Sequence, residues 1–146
     1  MRPLKILHVE DSEDDLQLFA RACQAAGLAA KVYWVCDGKE AVAYLDGSGR
    51  FNDRGEHPLP DLIVLDLTLP RMGGFDFLRW FKDQSALSQP VLIFTGSANF
   101  EDKARALAEG AAGYFVKPTD FETLVRLTES FAKFRNDGFD KNELAT

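Results

Sequence analysis

Five short apolar runs punctuate the chain, at 4–9, 32–35, 62–65, 91–94 and 114–116. None alternates strictly between apolar and polar residues, so each is expected to be a strand covered on both faces rather than one with a wet side. Between them, apolar positions recur with helical period near 13–26, 38–46, 74–83, 100–109 and 120–134. Three of these segments open on capping pairs: Ser12 with Asp15, Asp37 with Glu40, and Thr119 with Glu122. A five-fold strand-then-helix alternation predicts an α/β domain, a parallel sheet with right-handed crossovers placing helices on both faces.

Two stretches break the rhythm. Residues 47–60 are rich in Gly, Pro and charge, a length of loop that is either functional or a plain surface excursion. The segment 136–146 is polar, with Phe139 its one large apolar residue, and is expected to be a flexible tail. The organisation expected is one domain over 1–135, with neither a second domain nor an output domain.

Composition narrows the function. The 146 residues carry a formal charge of −6, which argues against a nucleic-acid surface because such surfaces cluster Lys and Arg. No run is long and apolar enough for a signal peptide or a membrane span, so a cytoplasmic location is expected. Cys23 and Cys36 have no metal-binding spacing, and Cys23 falls on an apolar helix face beside Leu16, Phe19 and Ala20, where buried filler is expected. His8, inside the first run, is expected to be buried imidazole rather than a ligand, and His57 carries no assignment.

The unusual polar residues sit where strands should end. The first run stops at Glu10 and Asp11, the third at Asp66, the fourth at Thr95 and the fifth at Lys117-Pro118. Open parallel sheets bind ligands outside their carboxyl ends. If these strands are neighbours, three carboxylates, a hydroxyl and an ammonium share one crevice. Carboxylates 4 Å apart repel by roughly 4 kcal/mol at an effective dielectric near 20, so the cluster needs counter-charge. Mg²⁺ would supply it, with Lys117 pairing to Asp66. Asp66 is then placed to act as a nucleophile towards phosphorus. Each group alone could be a helix cap or a solvated strand end; their joint placement is what points to chemistry.

These residues carry a resemblance. Segments 6–11 (Ile-Leu-His-Val-Glu-Asp), 61–70 with Gly73-Gly74, 91–95 and 113–118 together resemble the receiver domain of two-component response regulators, over residues 4 to about 134. The resemblance implies a doubly wound, flavodoxin-like sandwich with strand order 2-1-3-4-5. It implies phosphorylation of Asp66 by a sensor histidine kinase, and Mg²⁺ held by Glu10, Asp11, Asp66 and the Thr68 backbone carbonyl. Thr95, Gly96 and Lys117 would receive the phosphoryl group, Thr95 and Tyr114 would act as the switch, and Lys117-Pro118 would be a cis peptide. The protein would then be a signalling module, not a turnover enzyme. Gly73-Gly74 stands where Asp-Gly is more frequent and is expected to permit a positive φ. The 47–60 loop and the segment 118–122 resemble the subgroup partnering phytochrome-type kinases.

Two surfaces suggest partners. Leu18, Ala22 and Ala25 form an apolar strip beside the pocket, where the family docks its kinase. Leu127, Phe131 and Phe134 extend the last helix's apolar face beyond Phe121, Leu124, Val125 and Thr128, which suggests a homodimer through helix 4, strand 5 and helix 5. The rival readings are a haloacid-dehalogenase-like phosphatase and a pseudo-receiver that binds partners without phosphorylation. The first wants a second Asp where Thr68 stands; the second would be expected to lose the acid, hydroxyl or lysine, and all are present.

Overall fold

The strands and helices alternate without interruption: β1 (Leu4–Val9), α1 (Glu13–Ala25), β2 (Ala30–Val35), α2 (Gly38–Asp46), β3 (Leu62–Leu65), α3 (Gly74–Lys82), β4 (Val91–Thr95), α4 (Phe100–Ala108), β5 (Gly113–Val116) and α5 (Phe121–Phe131). This is a computed structural model, and it describes residues 3–134. The tail expected at 136–146, with Phe139, lies outside the described residues. All strand pairs are parallel, in the order β2-β1-β3-β4-β5, the flavodoxin-like arrangement.

Alternating side chains from the central strands feed two core layers. Leu7, Val9, Ile63, Leu65 and Ile93 face Ala41, Phe77 and Ala106 of α2, α3 and α4. Ile6, Leu62, Val64, Leu92 and Phe94 face Phe19, Leu124 and Phe131 of α1 and α5. Only β1, β3 and β4 are almost wholly buried; β2 and β5 are edges and half-exposed, contrary to the uniform burial expected of all five. His8 and Cys23 are buried as expected, and burial pushes the Cys23 thiol up to about 12.

The 47–60 stretch is an ordered lobe. Its single 3-10 turn, Gly49–Phe51, buries Phe51 against the Tyr44 ring. The Arg54 guanidinium donates to the carbonyls of Tyr44, Leu45 and His57, capping the end of α2, while the Tyr44 hydroxyl donates to Pro58 O.

Several expectations are corrected. Ala22 is fully buried, because its small side chain lets α5 approach and its carbonyl accepts the Thr128 hydroxyl at 3.4 Å; the exposed strip on α1 is therefore Leu18 and Ala25. Phe131 is also fully buried, and Leu127 and Phe134 pack on the same core, so the stripe that suggested a dimer is core instead. Phe121, expected inside, is 43% exposed. The cap of α5 is Asp120, which accepts the Thr123 N–H at 2.9 Å, in place of the Thr119–Glu122 pair. The Lys117-Pro118 bond is trans, the isomer a prolyl bond favours by about 0.5–1 kcal/mol, as are all peptide bonds among the described residues. Finally, the positive φ in the β3–α3 connection falls on Arg71, at 62°, whereas Gly73 is extended at −74°.

Candidate phosphoryl-acceptor site

The crevice forms at the carboxyl edge of β1, β3, β4 and β5, where Glu10, Asp66 and Lys117 directly follow Val9, Leu65 and Val116 and Thr95 closes β4. The Glu10 N–H donates to Val35 O at 3.0 Å and the Asp66 N–H to Val9 O at 3.1 Å. These bonds extend the β1–β2 and β1–β3 ladders one residue past the strand ends. Thr95 closes β4 and is 1% exposed; its carbonyl accepts the Lys117 N–H at 2.7 Å, fixing the lysine just beyond β5.

Gly74 makes the floor of the site possible. A Cβ there would lie 2.6 Å from both Asp66 O and Leu67 Cα, so only glycine lets α3 start directly beneath the Asp66 turn. Arg71 reaches the rim of α2 and donates to the buried carboxylate of Asp37, tying the β3–α3 loop to that helix. The Thr68 N–H donates to Asp66 Oδ1 at 3.2 Å.

At the centre, the Lys117 ammonium touches three carboxylates: Glu10 Oε1 at 2.7 Å, Asp15 Oδ2 at 2.7 Å and Asp66 Oδ2 at 2.9 Å. An ammonium has three N–H bonds, so its donors are saturated. Burial works against the charge on Lys117, but the hydrogen bonds to Asp15, Glu10 and Asp66 outweigh it and raise its pKa above the ordinary lysine value. Burial pushes the Glu10 carboxyl upward, opposed by Lys117 and by the Ser12 N–H, which donates to Oε2 at 3.1 Å.

Carboxylate oxygens of Glu10, Asp11 and Asp66 lie within 4.8 Å of one another, with Glu10 and Asp66 buried and Asp11 exposed. An all-oxygen donor set open to solvent on one side fits a hard divalent cation that keeps several waters. Nothing lies within 4 Å of a Cβ built on Gly96, which leaves the crevice open beside Thr95. Tyr114 is half-buried, and its hydroxyl donates to Ser97 O at 2.8 Å, linking β5 to the loop after Thr95.

Glu10, Asp11, Asp66 and Lys117 come together, while Thr95 ends the neighbouring strand and Tyr114 bonds to Ser97 instead; two further residues join the cluster. Asp15 was legible only as the partner of the Ser12 cap, which its N–H indeed serves at 3.2 Å. Asp11 precedes the Ser12 cap and lies outside α1, so no helical spacing tied Asp15 to the site in the sequence. Trp34 gave no signal; its indole donates to the Glu10 carbonyl at 2.5 Å.

The doubly wound parallel sheet is of the flavodoxin-like type, with an acidic crevice and a lysine at its carboxyl edge. The chain matches the response regulator receiver domain over residues 6–129 and belongs to that family. It is 34% identical over 133 residues to a probable methanogenesis regulatory protein, FilR2, of Methanothrix harundinacea, covering 90% of this chain and 83% of that one. Among solved structures it resembles the phosphorylated cyanobacterial phytochrome response regulator RcpA, with a TM-score of 0.82, 29% identity, and coverage of 94% and 97%. It also resembles the Mn²⁺-bound form of response regulator Rcp1, with a TM-score of 0.80, 27% identity, and coverage of 94% and 98%; Rcp1 is a Synechocystis protein. The chain is a receiver-type signalling module rather than a member of an enzyme family, and no helix among the described residues is long and apolar enough to cross a membrane.

Proposed function

We propose that this receiver domain accepts a phosphoryl group on Asp66 from a sensor histidine kinase and relays it as a surface change. The observation that carries the reading is the convergence of Glu10, Asp11 and Asp66 within 4.8 Å, with Lys117 on Asp66 at 2.9 Å. Asp66 supplies a carboxylate oxygen that attacks phosphorus; the donor's bond to phosphorus breaks and its electron pair leaves with the departing group. Lys117 releases Asp66 Oδ2 and turns the freed N–H to a phosphoryl oxygen, while Thr95 and the open backbone at Gly96 take up another. Mg²⁺, held by Glu10, Asp11, Asp66 and the Thr68 carbonyl, would supply the positive charge that this transfer needs. Likeness to the Mn²⁺-bound form of Rcp1 supports a divalent cation in such a domain. The domain assists its own phosphorylation and dephosphorylation and turns over no separate substrate.

Tyr114 supports a relay. Its bond to Ser97 O joins it to the loop that Thr95 would pull, so movement of Thr95 shifts the α4–β5–α5 face. Likeness to the phytochrome response regulator RcpA supports a phytochrome-type kinase as donor. The kinase would approach over Leu18, which is 41% exposed at the rim above Asp15 and Lys117. Leu18→Arg is expected to slow transfer from the cognate kinase several-fold while phosphorylation by a small donor is retained; equal transfer rates would refute that surface.

Beryllofluoride with Mg²⁺ tests the reading against a phosphorylation-independent binding module. Binding that Asp66→Asn abolishes is expected, seen as new fluorine resonances. Absence of binding by the wild type would favour the module.

A further inference from the structure

We propose that Trp34 is a positioning residue for the Glu10–Asp11 cation site, and that its indole senses whether the site is filled. The proposal rests on reading Glu10 and Asp11 as cation ligands. Trp34 stands on the edge strand β2, in register with His8, and is 41% exposed. Burial is therefore not what places a large aromatic there; its polar tip has a specific partner. The indole N–H donates to the Glu10 carbonyl at 2.5 Å, while the Glu10 N–H donates to Val35 O at 3.0 Å. Both backbone groups of Glu10 are thus held from β2.

The consequence reaches Asp11. The Glu10 carbonyl and the Asp11 N–H belong to one planar peptide unit, so fixing the carbonyl fixes the direction in which Asp11 leaves the strand. Asp11 is exposed and follows directly after the buried Glu10, whose side chain is committed to Lys117 and the Ser12 N–H. Carboxylates this close repel, and without a restraint the exposed one moves outward. The Trp34 clamp opposes that drift and keeps the pair ready for a cation before one arrives, which lowers the ordering cost of binding. A group that holds the Glu10–Asp11 peptide also feels it move when a cation draws Asp11 in, so the environment of the indole changes with occupancy.

The test is a Mg²⁺ titration of three proteins: wild type, Trp34→Phe, which keeps the ring but lacks the donor, and Trp80→Phe, which removes the other indole. Affinity is read by competition with Mn²⁺ in electron paramagnetic resonance, and intrinsic fluorescence is followed in parallel. Trp34→Phe is expected to bind Mg²⁺ roughly three- to tenfold more weakly, because the pair must then be ordered on binding, and to melt somewhat lower without metal, because the hydrogen bond is already present there. The Mg²⁺-dependent emission change should persist in Trp80→Phe and vanish in Trp34→Phe. The Trp80→Phe measurement leaves residue 34 intact, so it decides even if Trp34→Phe folds badly. Unchanged Mg²⁺ affinity in folded Trp34→Phe, or Trp34 emission indifferent to saturating Mg²⁺, would overturn the proposal. A wild type that takes up no Mg²⁺ would instead overturn the cation reading of the site itself.

Discussion

At the scale of residues, the site is a contest for Lys117. Three carboxylates share its three N–H bonds, and they are not equivalent. Glu10 and Asp66 are buried, whereas the Asp15 side chain is 38% exposed on the first turn of α1. Removing the cation strands buried charge; removing the rim carboxylate does not. Lys117→Met is therefore expected to lower metal-free stability by about 3 kcal/mol, the low end for breaking a buried pair. Mg²⁺ should recover part of that loss. Asp15→Asn should cost less than about 1 kcal/mol, as exposed pairs do. Urea unfolding with and without Mg²⁺ measures both, and equal losses would contradict the asymmetry. The sequence exposed Glu10, Asp11, Asp66, Thr95 and Lys117 because each ends a strand pattern. It concealed Asp15 because that residue already had a local role at a helix cap, and Trp34 because a hydrogen bond from an indole to a backbone carbonyl leaves no trace in spacing.

At the scale of elements, local chemistry placed the helices and strands to within two residues, except that α5 gives way to a 3-10 turn over its last three expected positions, and erred where neighbouring residues of similar chemistry competed. Thr119 and Asp120 can both cap α5. The structure uses Asp120, whose carboxylate accepts from both the Thr123 N–H and its hydroxyl. Asp120→Ala is accordingly expected to lower the melting midpoint measurably, and Thr119→Ala to leave it nearly unchanged. Thermal melts of the two variants check this, and the reverse order would restore Thr119 as the cap. The α5 stripe differs from expectation for a related reason. Helical period gives a face but not its width, and α5 packs against α1 as well as the sheet, so Phe131 meets Phe19, Phe94 and Phe115. Likewise Ala22 reads as an exposed position until α5 is laid across it. Which helices pack together is a long-range fact that no single segment carries.

At the scale of the molecule, the strand order β2-β1-β3-β4-β5, which the family resemblance implied and parallel pairing alone does not select, makes the crevice. Glu10 and Lys117 are 107 residues apart in sequence and 2.7 Å apart in space. Adjacency of β1, β3 and β4, with β5 alongside, is what turns four unremarkable strand ends into one site. The exposed apolar side chains Leu107, Val116 and Phe121 lie on α4, β5 and the start of α5, the face towards which Tyr114 would relay a change. Family and fold thus stand on the whole chain, while the proposed function turns on the chemistry of one carboxylate.

That chemistry is tested by incubating the protein with acetyl phosphate and Mg²⁺ and weighing it intact. The wild type is expected to gain one phosphoryl group, and only with the metal present, while Asp66→Asn gains none. An unmodified wild type, or equal uptake by Asp66→Asn, would contradict the assignment of Asp66 as the acceptor.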